Sequence, residues 1–217
     1  MCIRDRPFDD VASVIDRELG CSHGEVFSEI DPTPIGSGSI GQVHRATLRS
    51  GENVVVKVQK PGVADEVVLD LAILRSWLVR HTLRRRSSIT VDVEGFFDEF
   101  AFTLLNELDY RNEAENAARL REIHAGDPTI LIPAVHWAQS TKMVLVMEEV
   151  AGTEVRDQSI TRDMRTLDRH RLASAALHAA FVEILQHGFF HADPHPGNFL
   201  ITPDGRLGLL DFGMVGT

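Results

Sequence analysis

Cysteine is nearly absent: the 217 residues hold 2, Cys2 and Cys21. Two cysteines so near the N-terminus exclude a disulfide framework, and without a Cys-x-x-Cys spacing they exclude a thiolate metal site, so a reducing compartment fits. A basic excess is also missing. Lys and Arg number 22 against 32 Asp and Glu, a net charge of −10, so the field of the chain repels a phosphate backbone and no nucleic-acid partner is expected. No long apolar run occurs. The most apolar stretch, Leu172 to Phe190, is interrupted by His178, Glu183, Gln186 and His187 and reads as a buried helix of a soluble protein, with no membrane span and a cytoplasmic location expected. Internal repeats and low-complexity segments are lacking. The start, Met1 to Arg6, has no apolar core of a signal peptide. It reads as an extraneous leader, and Thr217 closes the chain just after a motif that sits in mid-domain elsewhere, so a fragment cut at both ends is expected.

What is present suits one domain, or one domain with two lobes: 43% of residues are hydrophobic and 25% charged, enough to bury a sizeable core. Asp9 to Leu19 carries Val11, Val14, Ile15 and Leu19 and stops at Gly20, an amphipathic helix with a glycine cap. From Ile35 the chain reads as strand, tight turn, strand. Ser50-Gly51-Glu52-Asn53 is a hairpin turn, and Val54 to Val58 is a third strand, so three antiparallel strands open the domain. Two helical stretches follow, Asp65 to about Leu83 and Val91 to about His124, around the basic turn Arg84-Arg85-Arg86. Pro133 to Ala138 and Met143 to Glu148 read as a second hairpin. A long helix from about Leu167 to His187 then delivers a polar loop. The expected organisation is an N-terminal segment 1–30, a β-rich lobe 31–150 with a helical insertion, and the beginning of a helical lobe 151–217.

The chemistry is concentrated in His191-Ala192-Asp193-Pro194-His195-Pro196-Gly197-Asn198 and in Asp211-Phe212-Gly213. Phosphoryl transfer needs a carboxylate that orients the attacking oxygen, and a carboxamide with a second carboxylate to hold magnesium on the phosphates. Asp193, Asn198 and Asp211 stand at a spacing that meets this need, because a short hairpin after the loop returns Asp211 beside Asn198. Turn-forming residues alone would also give a solvated loop; two Pro, two His and a strand-flanked Asp-Phe-Gly together argue for the site. Lys57 lies in an otherwise all-valine strand, where an ammonium is costly unless it finds an anion, such as the α- and β-phosphates of ATP or ADP. The turn before it, Gly36, Ser37, Gly38, Ser39 and Gly41 with Val43 beyond, lacks bulk, so its backbone N–H groups could approach a phosphate. Asp109, Glu113 and Asn116 fall on one stripe of the second helix while Glu107 points away. Two acids at that spacing repel unless a cation sits nearby, so Lys57 is expected within reach of Glu113, with Asp109 as the fallback. Met147, Glu148 and Val150 end an apolar strand suited to an adenine edge. Arg80, Arg84, Arg85 and Arg86 could favour an anionic membrane surface, although a solvated helix end is the better account of them.

From about Phe8 to Thr217 these residues resemble the UbiB/ADCK family, the aarF-domain atypical kinases associated with ubiquinone biosynthesis. The resemblance is carried by Pro34 to His44, Val56-Lys57-Val58, Glu107-x-Asp109 with Glu113, and the two motifs around Asp193 and Asp211. It implies an α+β, protein-kinase-like bilobal fold, with an antiparallel β lobe, inserted helices and the beginning of a helical lobe. It also implies ATP with magnesium, Lys57 paired with Glu113 and the phosphates, Asp193 as catalytic base, and Asn198 and Asp211 as metal ligands. Glu107 and Asp109 match an acidic pair that in the family contacts an upstream Lys-x-Gly-Gln segment. The family implies membrane or quinone-biosynthesis protein partners and a place peripheral to the inner membrane. One departure is the phosphate loop, alanine-rich in the family but with Gly36 and Gly38 here. A small-molecule kinase of the aminoglycoside or choline type shares the loop around Asp193 but not Glu107-x-Asp109 with Glu113. A nucleotide-gated scaffold, which works by organising partners, is the other alternative.

Overall fold

The structure, a computed structural model, describes residues 6–82, 92–156 and 166–217. The turn Arg84 to Arg86 and nearly all of the leader lie outside the described residues. Helix α1, Phe8–Leu19, ends as expected on Gly20, whose φ of 70° is the left-handed turn that glycine adopts without cost. A short helix α2, His23–Val26, leads into β1, Phe27–Ile30. Strands β2, Gly36–Ser37, β3, Gly41–Leu48, and β4, Asn53–Gln59, follow, and with β6, Val144–Glu148, they form an antiparallel sheet in the order β1-β3-β4-β6 with β2 on β3.

The valine run of β4 shows how the sheet aims the chemistry. Side chains alternate across a strand, so Val54, Val56 and Val58 enter a core with Val11, Val14 and Ile15 of α1 and Val144 and Val146 of β6. Burying each of these valines contributes roughly 1.5–3 kcal/mol. Lys57 is thereby forced onto the opposite face. On that face Leu145 and Met147 of β6 join the second core.

Helix α3, Val63–Thr82, precedes the stretch expected as one helix from Val91 to His124, which is in fact two: α4, Val93–Glu107, and α5, Tyr110–Ile123. The break falls at Leu108-Asp109. Buried Gln59 at the end of β4 donates its Nε2 to the Leu108 carbonyl at 2.6 Å, Tyr110 N–H reaches Lys142 C=O at 3.0 Å, and Asp109 caps α5. These bonds pin the first turn of α5 beside Lys57.

The expected hairpin before β6 is reduced to one bridge between Val135 and Met147. The chain between them makes a 3₁₀ turn at Trp137–Gln139. Strands β5, Ile130–Leu131, β7, Thr153–Glu154, β9, Phe199–Ile201, and β10, Leu207–Leu209, build a small second sheet, and β8, Phe190–His191, pairs with β11, Val215–Gly216. The long helix is α6, Thr166–Phe181, continued by a π-helical segment, Val182–His187. Only Ala175, Ala179, Glu183 and the following Phe189 are buried from its apolar stretch, while Phe181 and Leu185 are 59% and 74% exposed. The expectation of a buried helix is therefore corrected: it packs along one narrow face of small residues. Among the described residues no helix is long and apolar enough to cross a membrane.

Candidate active site

Lys57 Nζ donates to both oxygens of Glu113 at 2.8 Å and lies 3.7 Å from Asp211 Oδ1. The ion pair expected from the sequence is present. Burial alone would push the Lys57 ammonium down, but the charges of Glu113 and Asp211 outweigh it and hold the group well above the ordinary lysine value. Glu113 is pushed up by burial, opposed by the Lys57 ammonium. The ring of Tyr110, the only tyrosine in the chain, lies 5.2 Å from Nζ. Sequence reasoning did not single it out. It stands one turn before Glu113, so the stripe that found the acid also contained it.

Two expectations on this helix are corrected. Asp109 is not on a stripe facing Lys57; as the cap of α5 its carboxylate takes the Arg111 N–H at 3.1 Å and the guanidinium at 2.6 and 2.9 Å. The Arg111 hydrogen bond holds Asp109 below the usual carboxylate range. Glu107, expected to point away, feels the site: burial first, and then the charge of Asp211, raise its carboxyl. Both follow from the break in the helix, which resets the angular phase between 107 and 113.

The catalytic-loop expectations converge through backbone bonds. Asp193 N–H donates to His191 Nδ1 at 3.2 Å, and Asp193 C=O accepts His195 N–H at 2.8 Å. Asn198 Nδ2 donates to Asp193 C=O at 3.1 Å and to its Oδ2 at 3.3 Å. The hairpin of β9 and β10 pairs Leu209 with Phe199, and Leu210 N–H donates to Asn198 C=O at 2.8 Å, so Asp211 returns next to Asn198. Asp211 has φ 57°, the only left-handed non-glycine conformation among the described residues. Phe212 behind it is fully buried, and Asn116 Nδ2 of α5 holds the Phe212 carbonyl at 2.9 Å. The amide of Asn198 is spent on Asp193, which leaves its Oδ1 as a hard oxygen donor beside the half-exposed Asp211 carboxylate. Such a set suits magnesium that keeps water or phosphate as its other ligands. The residues present thus fit the metal and the nucleotide.

A cleft of about 480 Å³ is lined by Ile35, Val55, Met147, Val150, Leu200 and Leu210 together with charged residues that include Arg45, Glu148 and Arg156. Its volume and its apolar patch suit a nucleobase. Ile35, Val55, Leu200 and Leu210 were not foreseen, because scattered apolar positions carry no motif. A larger cavity, about 960 Å³ beside Ile123, His178 and Arg206, contains none of the candidate site residues. Glu148 is partly committed elsewhere: its carboxylate accepts Ala134 N–H at 3.1 Å.

The glycine turn expected to meet phosphate is open at its start and closed at its end. Gly36 to Ser39 are exposed, Val43 pairs with both Gly36 and Lys57, and Lys60, which the sequence reading passed over, donates its Nζ to Gly38 C=O at 2.6 Å. Gly41 is buried. A Cβ there would overlap the Tyr110 hydroxyl and stand 2.7 Å from Val58 C=O, whereas a Cβ on Gly38 meets nothing nearer than Gly41 O at 3.9 Å. Gly41, expected among the phosphate contacts, is thus a packing position. Gly41→Ala should lower stability by about 2 kcal/mol. Gly38→Ala should change it by less than ~0.5 kcal/mol while moving the ATP/ADP preference by ~3-fold or more, about 0.65 kcal/mol. Denaturant unfolding and calorimetry with each nucleotide check the contrast; a preference unmoved by Gly38→Ala would place the loop away from phosphate.

The model of the ABC1 atypical kinase-like domain matches residues 3–217. An uncharacterized chloroplastic aarF domain-containing protein kinase of Arabidopsis thaliana is 42% identical over 94% of this chain and 28% of its own length. "Probable protein kinase UbiB" of Pseudomonas putida is 36% identical over the whole of this chain and 42% of its own. The solved complex of Rv3197 with erythromycin, from Mycobacterium tuberculosis, superposes with a TM-score of 0.82 at 34% identity, over 97% of this chain and 52% of that one. The chain thus spans less than half the length of these curated relatives, and the likeness to Rv3197 fits a kinase-like α+β fold. With a family model running over nearly every residue, and with its motifs meeting around Lys57 and Asp211, the chain belongs to the ABC1 atypical kinase-like family.

Proposed function

We propose that this chain carries the nucleotide site and catalytic loop of a magnesium-dependent phosphotransferase that moves the terminal phosphoryl group of ATP to an acceptor or to water. The observation that carries the reading is Lys57 held between Glu113 and Asp211, on the strand whose Val55 lines the cleft. Magnesium, when bound, neutralises charge on the phosphates. Asn198 and Asp211 would hold it, Lys57 would meet the α- and β-phosphates, and Met147 with Val150 would flank the base. Asp193 would orient the acceptor oxygen. By the resemblance to the UbiB/ADCK family we further infer a role in isoprenoid quinone biosynthesis, with protein or membrane partners in a cytoplasmic location peripheral to the inner membrane.

The test is calorimetry on the full-length protein with ATP and ADP, each with and without magnesium, together with measurement of phosphate release. Magnesium-dependent binding and slow turnover are expected. Absence of any nucleotide binding would sink the reading. Binding without turnover would favour the nucleotide-gated scaffold.

A further inference from the structure

A chain of buried hydrogen bonds joins the far end of α5 to the catalytic loop. One stripe of α5 presents Glu113, Asn116, Leu120 and, at its C-cap, His124. Glu113 holds Lys57, Asn116 holds Phe212, and Leu120 is fully buried. His124 Nε2 meets Glu183 Oε1 at 2.8 Å, and the second oxygen of Glu183 accepts the His191 N–H at 2.9 Å. His124, Glu183 and His191 are 6%, 3% and 8% exposed, so water does not compete for these bonds.

The imidazole of His191 carries the chain further. Asp193 N–H donates to its Nδ1 at 3.2 Å, which makes Nδ1 the acceptor and assigns the ring proton to Nε2. That nitrogen faces Leu210 C=O at 3.4 Å. One ring therefore touches the backbone of Asp193 and the residue before Asp211. Glu183 reaches it from the π-helical segment Val182–His187, a kind of helical irregularity frequent at functional sites. A buried carboxylate is tolerated only when its oxygens are partnered. Here the two partners come from different elements, so the carboxylate fixes one against the other.

We propose that Glu183 and His124 are positioning residues, which lock the backbone carrying Asp193 and Asp211 against the helix that carries Glu113. Neither side chain faces the nucleotide cleft; both act through His191. The proposal rests on the phosphotransferase reading, because its consequence is a rate.

In the full-length protein, Glu183→Ala is expected to lower kcat by about 10–100-fold, the range for losing a supporting partner of a functional group. KM for magnesium ATP should stay within about threefold, since the cleft and Lys57 are untouched. Glu183→Gln keeps an oxygen for the His191 N–H and should return kcat to within about threefold of the unaltered protein. Hydrogen exchange should show faster exchange at His191 and Asp193 in Glu183→Ala, with β4 and β6 protected as before. Unchanged kcat and unchanged exchange in a folded Glu183→Ala would overturn the proposal, as would a Glu183→Gln variant as slow as the alanine one. If Glu183→Ala does not fold, His124→Ala decides from the other end: a kcat lowered with KM constant supports the coupling, and wild-type kcat overturns it. Should the unaltered protein show no turnover, the phosphotransferase reading falls, while exchange at His191 and Asp193 still decides the coupling.

Discussion

Asp193→Asn in the full-length protein is expected to lower turnover by about 100-fold or more, the range for losing a positioned acid/base group, while ATP affinity stays within a few-fold. The separation follows from how the loop is built. The bonds that shape it use the backbone of Asp193: its N–H to His191 Nδ1 and its C=O to His195 N–H and Asn198 Nδ2. The carboxylate adds only the 3.3 Å contact from Asn198. An asparagine of the same shape therefore preserves the loop but cannot accept a proton from an acceptor hydroxyl. The nucleobase walls and Lys57 lie elsewhere, so binding survives. Parallel calorimetry and rate measurement check the split. If hydrolysis and acceptor phosphorylation both persist while partner binding still responds to ATP, Asp193 is no base and the scaffold becomes the better account.

The parts of this site legible in the sequence are those fixed by short-range rules. Lys57 stood out because an ammonium in an all-valine strand needs an anion, and the valines on either side bury themselves on the opposite face as strand alternation demands. The return of Asp211 beside Asn198 followed from hairpin length. The break at Leu108-Asp109 was not legible. An aspartate inside a polar helical run reads as surface, and what makes it a cap is Gln59, 49 residues away, taking the Leu108 carbonyl. This two-residue interruption breaks the helical phase between Glu107 and Glu113 and puts the Asp109 carboxylate on Arg111.

Strand β1 and the outer strands of the small second sheet, β5 and β7, were missed for a related reason. Several of these strands are only two or three residues long, shorter than the span over which alternation can be counted. They exist because their backbone groups meet partners far away in sequence, as Leu207 and Gly208 do beside Ile130 and Leu131. The walls of the cleft belong to the same class. Leu200 and Leu210 face Val55 and Met147 only after two sheets have been assembled. His124 and Glu183 are polar residues in otherwise ordinary helical patterns, and only burial reveals that they are partnered. Motif spacing thus pointed to the groups proposed to react, while the supports that hold them depend on tertiary contact.

Asp211→Asn should abolish turnover and magnesium-dependent nucleotide binding together, without unfolding the protein. The position requires φ 57°, a left-handed conformation that Asn adopts as readily as Asp. Asp211 Oδ1 accepts Gly213 N–H at 3.2 Å, and an amide oxygen can take over that bond. Glu113 still grips Lys57 through both oxygens at 2.8 Å, so the ammonium keeps its counter-ion. The acids are crowded as they stand: the charge of Asp211 pushes both Glu107 and Glu113 upward. Removing it relieves that repulsion but also gives up its attraction to Lys57 at 3.7 Å, so the variant should be about as stable as the unaltered protein when no nucleotide is present. The cost appears only on binding, where a neutral amide is a poor ligand for a hard divalent cation. At nucleotide a hundredfold above its dissociation constant, ligand binding stabilises a protein by about 2.7 kcal/mol. The unaltered protein should show that gain as a raised melting temperature with magnesium ATP, and Asp211→Asn should show almost none. A variant that melts with an undiminished magnesium-ATP shift would remove Asp211 from the metal site and leave Asn198 without its partner ligand.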